Sequence, residues 1–251
     1  MRYSVGVIGN GYVGSSISTG FAHKADIYVY DVNPNLATHT LEEVVKESDF
    51  IFVAVPTPMD LETGKFDSSI LEEVFEEVQS LKTVKDIVYI VKSTTVPGVL
   101  EKIVKKYENL NIVFSPEFLT EKQARLDFIN TNRIIIGGSD KNIESVESLF
   151  RTRFPYTKII KTDITTAQFV KYMANCFFAV KVSYMNEMKQ VADALSVNWD
   201  AAMNGFISDG RIGNSHLDVP GHDGDHGFGG KCFPKDINAF INLMKSLNVN
   251  P

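Results

Sequence analysis

Val5-Gly6-Val7-Ile8-Gly9-Asn10-Gly11-Tyr12-Val13-Gly14 is a short apolar run that ends in G-x-G-x-x-G. The run reads as a strand over 5–8, and a helix pattern follows over 12–23. Glycines at this spacing allow a tight turn, a close backbone approach to a pyrophosphate, and close packing of helix on strand. The helix then points its unpaired N–H groups at the phosphates. A second strand over 27–30 ends in Asp31, about twenty residues beyond the first glycine. A carboxylate there can accept from both hydroxyls of an adenosine ribose and repels a 2′-phosphate. The expected cofactor is therefore NAD rather than NADP. Gly9, Gly11, Tyr12, Val13, Gly14 and Asp31 are its candidate contacts.

Strand-like runs recur at 50–55, 87–91, 112–114, 134–136 and 158–160. Helical patterns separate most of them, at 41–48, 67–81, 99–107 and 142–150. The 50–55 run is apolar at every position, as a parallel sheet covered on both faces requires. This alternation predicts an α/β fold, a doubly wound parallel Rossmann-like sheet over 1–162. Polar loops stand at the carboxyl ends of three strands, where such sheets bind ligands. They are Pro56-Thr57-Pro58, the stretch Lys92 to Gly98, and the stretch Ser115 to Glu121. Thr57 suits a cofactor contact and a simple turn residue equally well.

The pattern changes at Asp163, a helix-capping residue type. From 164 to 195 there is neither glycine nor proline, which predicts one helix about 45–50 Å long. Its apolar residues, among them Phe169, Met173, Phe177, Val180 and Tyr184, cover more than one face. It is expected to be a spine leading into a small all-α domain over 163–251, and a subunit interface. Lys171 and Asn175, four apart, share a face amid this apolar surface. They are site candidates, though a snorkelling lysine and a packed amide would look the same.

Gly229-Gly230-Lys231-Cys232-Phe233-Pro234-Lys235-Asp236 holds one of the two cysteines. Pro234 suits the first turn of a closing helix over 234–247. Cys232 then precedes a helix N-terminus and is flanked by two lysines, surroundings that favour a nucleophilic thiolate. The 216–230 stretch carries His216, His222 and His226 with Asp218, Asp223 and Asp225. Their spacing fits no helical or strand metal template, so a solvated ligand-covering loop is expected and no metal.

A net charge of −6 with no basic stripe argues against nucleic acid as partner. Two cysteines make no disulfide framework, which fits a reducing, cytoplasmic setting. No leader pattern and no apolar run of membrane-spanning length are seen.

Taken together, Gly9 to Gly14, Val55-Pro56-Thr57-Pro58, Lys92-Ser93-Thr94, Ser115 to Glu121, Lys171-x-x-x-Asn175, Arg211-Ile212-Gly213 and Gly229 to Asp236 resemble the UDP-glucose 6-dehydrogenases of the UDP-glucose/GDP-mannose dehydrogenase family. The resemblance runs in order along the whole chain. It implies four-electron, NAD-dependent oxidation of a nucleotide sugar, UDP-glucose in the first place. GDP-mannose, another UDP-sugar, or a turnover-deficient subunit of a split enzyme are the alternatives. It implies Cys232 as nucleophile and Glu121 as the base for a water. Lys171, Asn175, Asp236 and Thr94 would handle protons, water and oxyanion. Thr57, Thr94, Glu121 and Lys235 would join the glycine loop on NAD. Glu117, Phe118, Leu119 and Gly229 would hold substrate, with Lys171 and Asn175. Arg211 would reach the neighbouring site of a homodimer built on the long helix. Family members continue into a further domain that grips the nucleotide. The resemblance therefore implies a short form lacking the C-terminal UDP-binding domain, with a companion chain as one way to supply it.

Overall fold

The computed structural model describes residues 2–251 apart from 61–63, 65, 222 and 231, and for Glu121 it describes the backbone alone. Two compact units divide the chain, Met1–Lys171 and Tyr172–Pro251.

The first unit runs β1 (Tyr3–Ile8), α1 (Tyr12–Phe21), β2 (Ala25–Tyr30), α2 (Leu41–Glu47), β3 (Phe50–Val53), α3 (Ser69–Ser80), β4 (Val88–Val91), α4 (Val99–Lys106), β5 (Asn111–Phe114), α5 (Ala124–Ile129), β6 (Arg133–Gly137), α6 (Asp140–Arg153) and β7 (Lys158–Thr162). The strands form one sheet in the order β2-β1-β3-β4-β5-β6-β7. β1 pairs in parallel with both β2 and β3, so the winding reverses between β1 and β3. That reversal opens the crevice in which such sheets bind ligands. Successive side chains on a strand point to opposite faces, and the core follows. Val5, Val7, Phe50, Phe52, Val88 and Ile90 lie in one apolar layer. Ile8, Ile51, Val53, Tyr89 and Val91 lie in the other.

The sheet is not parallel throughout, as the strand pattern predicted. β5 and β6 meet in antiparallel sense at a single pair, Phe114 with Gly137. The reason is α5, which the sequence reading did not anticipate. A parallel pair needs a crossover laid against the sheet. α5 packs on α1 instead, with Phe128 so close to Gly20 that a Cβ there would come within 2.3 Å of the ring. β3 also ends at Val53, two residues before the apolar run does.

α7 (Ile164–Ala194) is one helix of 31 residues, about 45–50 Å long. Its first turns belong to the sheet. Ala167 is buried in the second apolar layer and Val170 packs on it. A side chain at Gly137 would meet the Asp163 carbonyl oxygen at 2.6 Å, so glycine there lets the helix start against β6. The two compact units divide inside α7, after Lys171.

The second unit holds the rest of α7 with α8 (Trp199–Ile207) and α9 (Phe233–Ser246). Met185, Leu217 and Val219 form its small core, joined by Trp199, Met203, Phe206 and Ile212. Tyr172 stacks on Phe240 at 5.7 Å. Among the described residues no helix is long and apolar enough to cross a membrane.

Candidate active site

The glycine turn after β1 is built for close approach. Gly9 has φ +88°, a left-handed value that favours glycine. Its N–H donates to the Tyr30 carbonyl at 2.9 Å, and a Cβ on it would stand 2.7 Å from the Ala54 carbonyl oxygen. A Cβ on Gly14 would stand 1.9 Å from the Gly9 carbonyl oxygen, so the first turn of α1 lies directly on the loop. Above Gly11, the N-cap of α1, a Cβ would meet nothing within 4 Å. That open space at a helix N-terminus suits a phosphate. Tyr12 and Val13 follow in the first turn, half-buried. Asp31, at the end of β2, accepts the Asn10 N–H at 2.6 Å on one carboxylate oxygen and the Asn33 N–H at 2.8 Å on the other. A carboxylate has about four lone-pair sites, so ribose hydroxyls can still be accommodated. The residues present fit a dinucleotide.

The loops after β3 and β4 are laced together. The Thr57 hydroxyl donates to the Thr94 carbonyl at 2.8 Å, and Ser93 donates to the Val55 carbonyl at 2.7 Å. Thr57 thus fixes the loop while its oxygen lone pairs remain for a ligand. Gln168 donates to the buried Thr95 hydroxyl at 2.7 Å, tying the β4 loop to α7. The sequence reading passed over both Gln168 and Thr95.

Lys171 ends this unit in a buried ion pair. Its Nζ donates to the Glu117 carbonyl at 2.7 Å and to the two carboxylate oxygens at 3.0 and 3.2 Å. Both side chains are buried, so the snorkelling reading of Lys171 fails. Phe118 presents its ring to the Lys171 ammonium at 5.4 Å and to the Arg133 guanidinium at 4.2 Å, and Leu119 packs on the first apolar layer. Beside them lies a residue given no role from the sequence. Lys92, at the end of β4, is buried and donates to the Pro116 carbonyl at 3.2 Å. Burial pushes its ammonium down to about 8; the Glu117 charge opposes this and the Lys171 charge adds to it. The available signal was a lysine directly continuing a wholly apolar strand.

The second unit presents another buried polar set. Asn175 donates to one Asp236 carboxylate oxygen at 2.6 Å, and Lys235 donates to the other at 2.7 Å. Asp236 is only 1% exposed, so this pairing is what makes its charge tolerable. Cys232 is the N-cap of α9, with Pro234 in the first turn, and its carbonyl accepts the Asp236 N–H at 2.8 Å. The nucleophile candidate and the carboxylate are thereby one helical turn apart. Gly230 has φ +75°, while Gly229 is exposed. Burial, with the Asp236 charge beside it, pushes the Cys176 thiol up to about 11, so Cys176 remains a thiol at neutral pH.

Two candidates stand apart from these sets. Arg211 is bonded to its neighbour Asp209 at 2.9 and 3.1 Å and projects into solvent. The side chain of Glu121 lies outside the described residues; its backbone begins a 3₁₀ turn. Of the 216–226 stretch, His216 lies flat on Phe178 at 4.1 Å and His226 Nδ1 meets the Asn186 side-chain oxygen at 3.1 Å. His222 is outside the described residues, and among those described no three His, Cys, Asp or Glu are grouped to hold a metal.

Comparison with known proteins bears on this arrangement. Residues 31–153 match the model "UDP-glucose/GDP-mannose dehydrogenase family, NAD binding domain", and 165–251 match the same family's "central domain". The chain is 33% identical over 217 residues to the UDP-glucose 6-dehydrogenase of Rickettsia bellii, covering 83% of this chain and 48% of that protein. It is 28% identical to the Bacillus subtilis UDP-glucose 6-dehydrogenase TuaD, covering 96% of this chain and 59% of that one. The solved UDP-glucose dehydrogenase of Pyrobaculum islandicum superposes with a TM-score of 0.84 at 29% identity, over all of this chain and 66% of its own. The chain spans about half the length of the first curated relatives it matches.

Proposed function

The chain belongs to the UDP-glucose/GDP-mannose dehydrogenase family, and from that membership we propose that it oxidises the primary alcohol of a nucleotide sugar, UDP-glucose first, to a carboxylate. Each sugar consumes one water and reduces two NAD. The observation that carries this reading is the Asn175–Asp236 pair one helical turn from Cys232, a carboxylate and a sulfur on one helix end. A two-electron alcohol dehydrogenase has no use for that sulfur.

NAD, when bound, supplies the acceptor for each hydride. The glycine turn and Asp31 hold it, with Thr57, Thr94, Glu121 and Lys235 as further contacts. Glu117, Phe118, Leu119, Asn175 and Gly229 hold the sugar. Asp236 positions the water that takes the alcohol proton. Lys171 donates to the alkoxide oxygen that forms before each hydride leaves and that collapses to C=O as the hydride goes. The Cys232 sulfur adds to the aldehyde carbon, giving a thiohemiacetal that cannot diffuse away. Loss of the second hydride leaves a thioester. Glu121 draws a proton from the water that attacks it, releasing the acid and the thiol.

Counting NADH against sugar consumed tests the reading. Two per UDP-glucose are expected. One per sugar would make the enzyme a simple dehydrogenase, and none with any nucleotide sugar would remove the assignment.

We infer also that two copies pair through α7. Met173, Phe177, Val180, Tyr184, Val191 and Leu195 are large apolar residues at helical spacing, each between 48% and 70% exposed. A stripe of this kind is covered in most soluble proteins. Replacing Val180 and Tyr184 together by glutamate should convert a dimer to a monomer in sedimentation. A wild-type monomer would contradict the inference.

A further inference from the structure

Two ammonium groups and one carboxylate are buried together in the first unit. Lys171 Nζ spends its three donors on Glu117, at 2.7, 3.0 and 3.2 Å. In that state it has nothing left to offer a substrate oxyanion. To act there it must turn at least part of its hydrogen bonding away from Glu117. Glu117 is 7% exposed, and a buried carboxylate abandoned by its cation is strongly disfavoured. Something must replace the charge that turns away.

Lys92 is the group placed to do so. It leaves β4 beside the same turn and donates to the carbonyl of Pro116, the residue before Glu117. Among the described residues this is the one hydrogen bond its ammonium makes, so donors remain for the carboxylate. The charged groups that act on it are Glu117, on the turn after β5, and Lys171, on α7. Resting on the reaction proposed above, the geometry points to Lys92 as the standby counter-ion of Glu117: as Lys171 turns to the oxyanion, Lys92 takes over the carboxylate. Lys92 is thus a positioning residue that acts through Lys171 and touches no reacting atom. No bond is made or broken in this exchange and no proton changes owner.

The exchange requires a charged Lys92. Burial has brought its ammonium down to about 8, so the charge is lost as pH rises through that value. Wild-type kcat should therefore carry a descending limb near pH 8.

The test compares wild type with Lys92→Gln, which keeps a donor for the Pro116 carbonyl without the charge, and with Lys92→Met. NADH formation from UDP-glucose is followed between pH 6 and 10, with Tm measured alongside. kcat at pH 7 should fall about a hundredfold in both variants, and the limb near pH 8 should vanish. KM should change less than about threefold, because the resting Lys171–Glu117 pair is intact. Tm of Lys92→Gln should stay at or above that of wild type, since one buried charge has gone. A kcat within threefold of wild type, or a retained limb near pH 8, overturns the inference. So does a lowered Tm with KM and kcat lost together, which would mark a merely structural lysine. Wild-type protein that forms no NADH with any nucleotide sugar overturns the reaction reading and this inference together. Wild-type turnover with undiminished variants overturns this inference alone.

Discussion

A Cys232→Ser protein should lose formation of the sugar acid by about a thousandfold or more, while still binding NAD. A serine hydroxyl at neutral pH is a far weaker nucleophile than a cysteine sulfur. Cys232 caps a helix of 14 residues whose first turn carries Pro234 and the buried Asp236. Its backbone is held by the Asp236 N–H, so the exchange of sulfur for oxygen leaves the frame in place. The loss should appear in kcat, with NADH per sugar falling from two toward one or to a single stalled turnover. Mass spectrometry of the wild-type protein quenched with substrate should show a sugar adduct on the peptide containing Cys232. Full conversion to acid by the serine variant would remove the sulfur from the mechanism. Cys176 cannot substitute, because burial keeps it protonated.

The second large effect belongs to Gly14→Ala. One methyl group at this position would lie 1.9 Å from the Gly9 carbonyl oxygen and 3.0 Å from its carbon. Those are backbone atoms and cannot swing aside like the tip of a side chain. Either α1 lifts from the turn or the turn opens, by about an ångström in each case. A displacement of that size typically costs on the order of a hundredfold in a positioned interaction. NAD affinity, read by NADH fluorescence titration, should weaken by about that factor. The sheet, whose two layers do not depend on this contact, should keep its circular dichroism. NAD binding within threefold of wild type would mean that the dinucleotide does not use this turn.

Much of the fold could be read from residue order because its signals are local. Gly9 to Gly14 between a strand and a helix, with Asp31 after the next strand, carry their own geometry. The glycine-free and proline-free stretch after Asp163 announced α7 to within a residue of its end. What escaped depended on contacts distant in sequence. α5 is six residues long, with too few turns for a periodic signal, and it exists because Phe128 fills the space above Gly20. The antiparallel meeting of β5 and β6 follows from where α5 packs, which no pattern within 115–132 encodes. The start of α7 against β6 depends on Gly137, where a side chain would meet the Asp163 carbonyl oxygen. In the candidate site, Lys171 and Asn175 stood out as polar groups on an apolar helix, but their partners lie 54 and 61 residues away in sequence. Lys92 has no role legible in the sequence, since only the fold brings two lysines to one carboxylate.

The clasp between Asp31 and the Asn10 N–H has a bearing on how cofactor preference could ever change. The acidic side chain that disfavours a phosphorylated ribose is also the fastener of the turn beneath it. Any lineage that discards the carboxylate to admit the bulkier dinucleotide unpins the loop in the same stroke. The shorter path to such a switch thus runs through an intermediate crippled for both coenzymes, unless a change near Asn10 arrives first. Selectivity here is guarded by architecture as much as by charge.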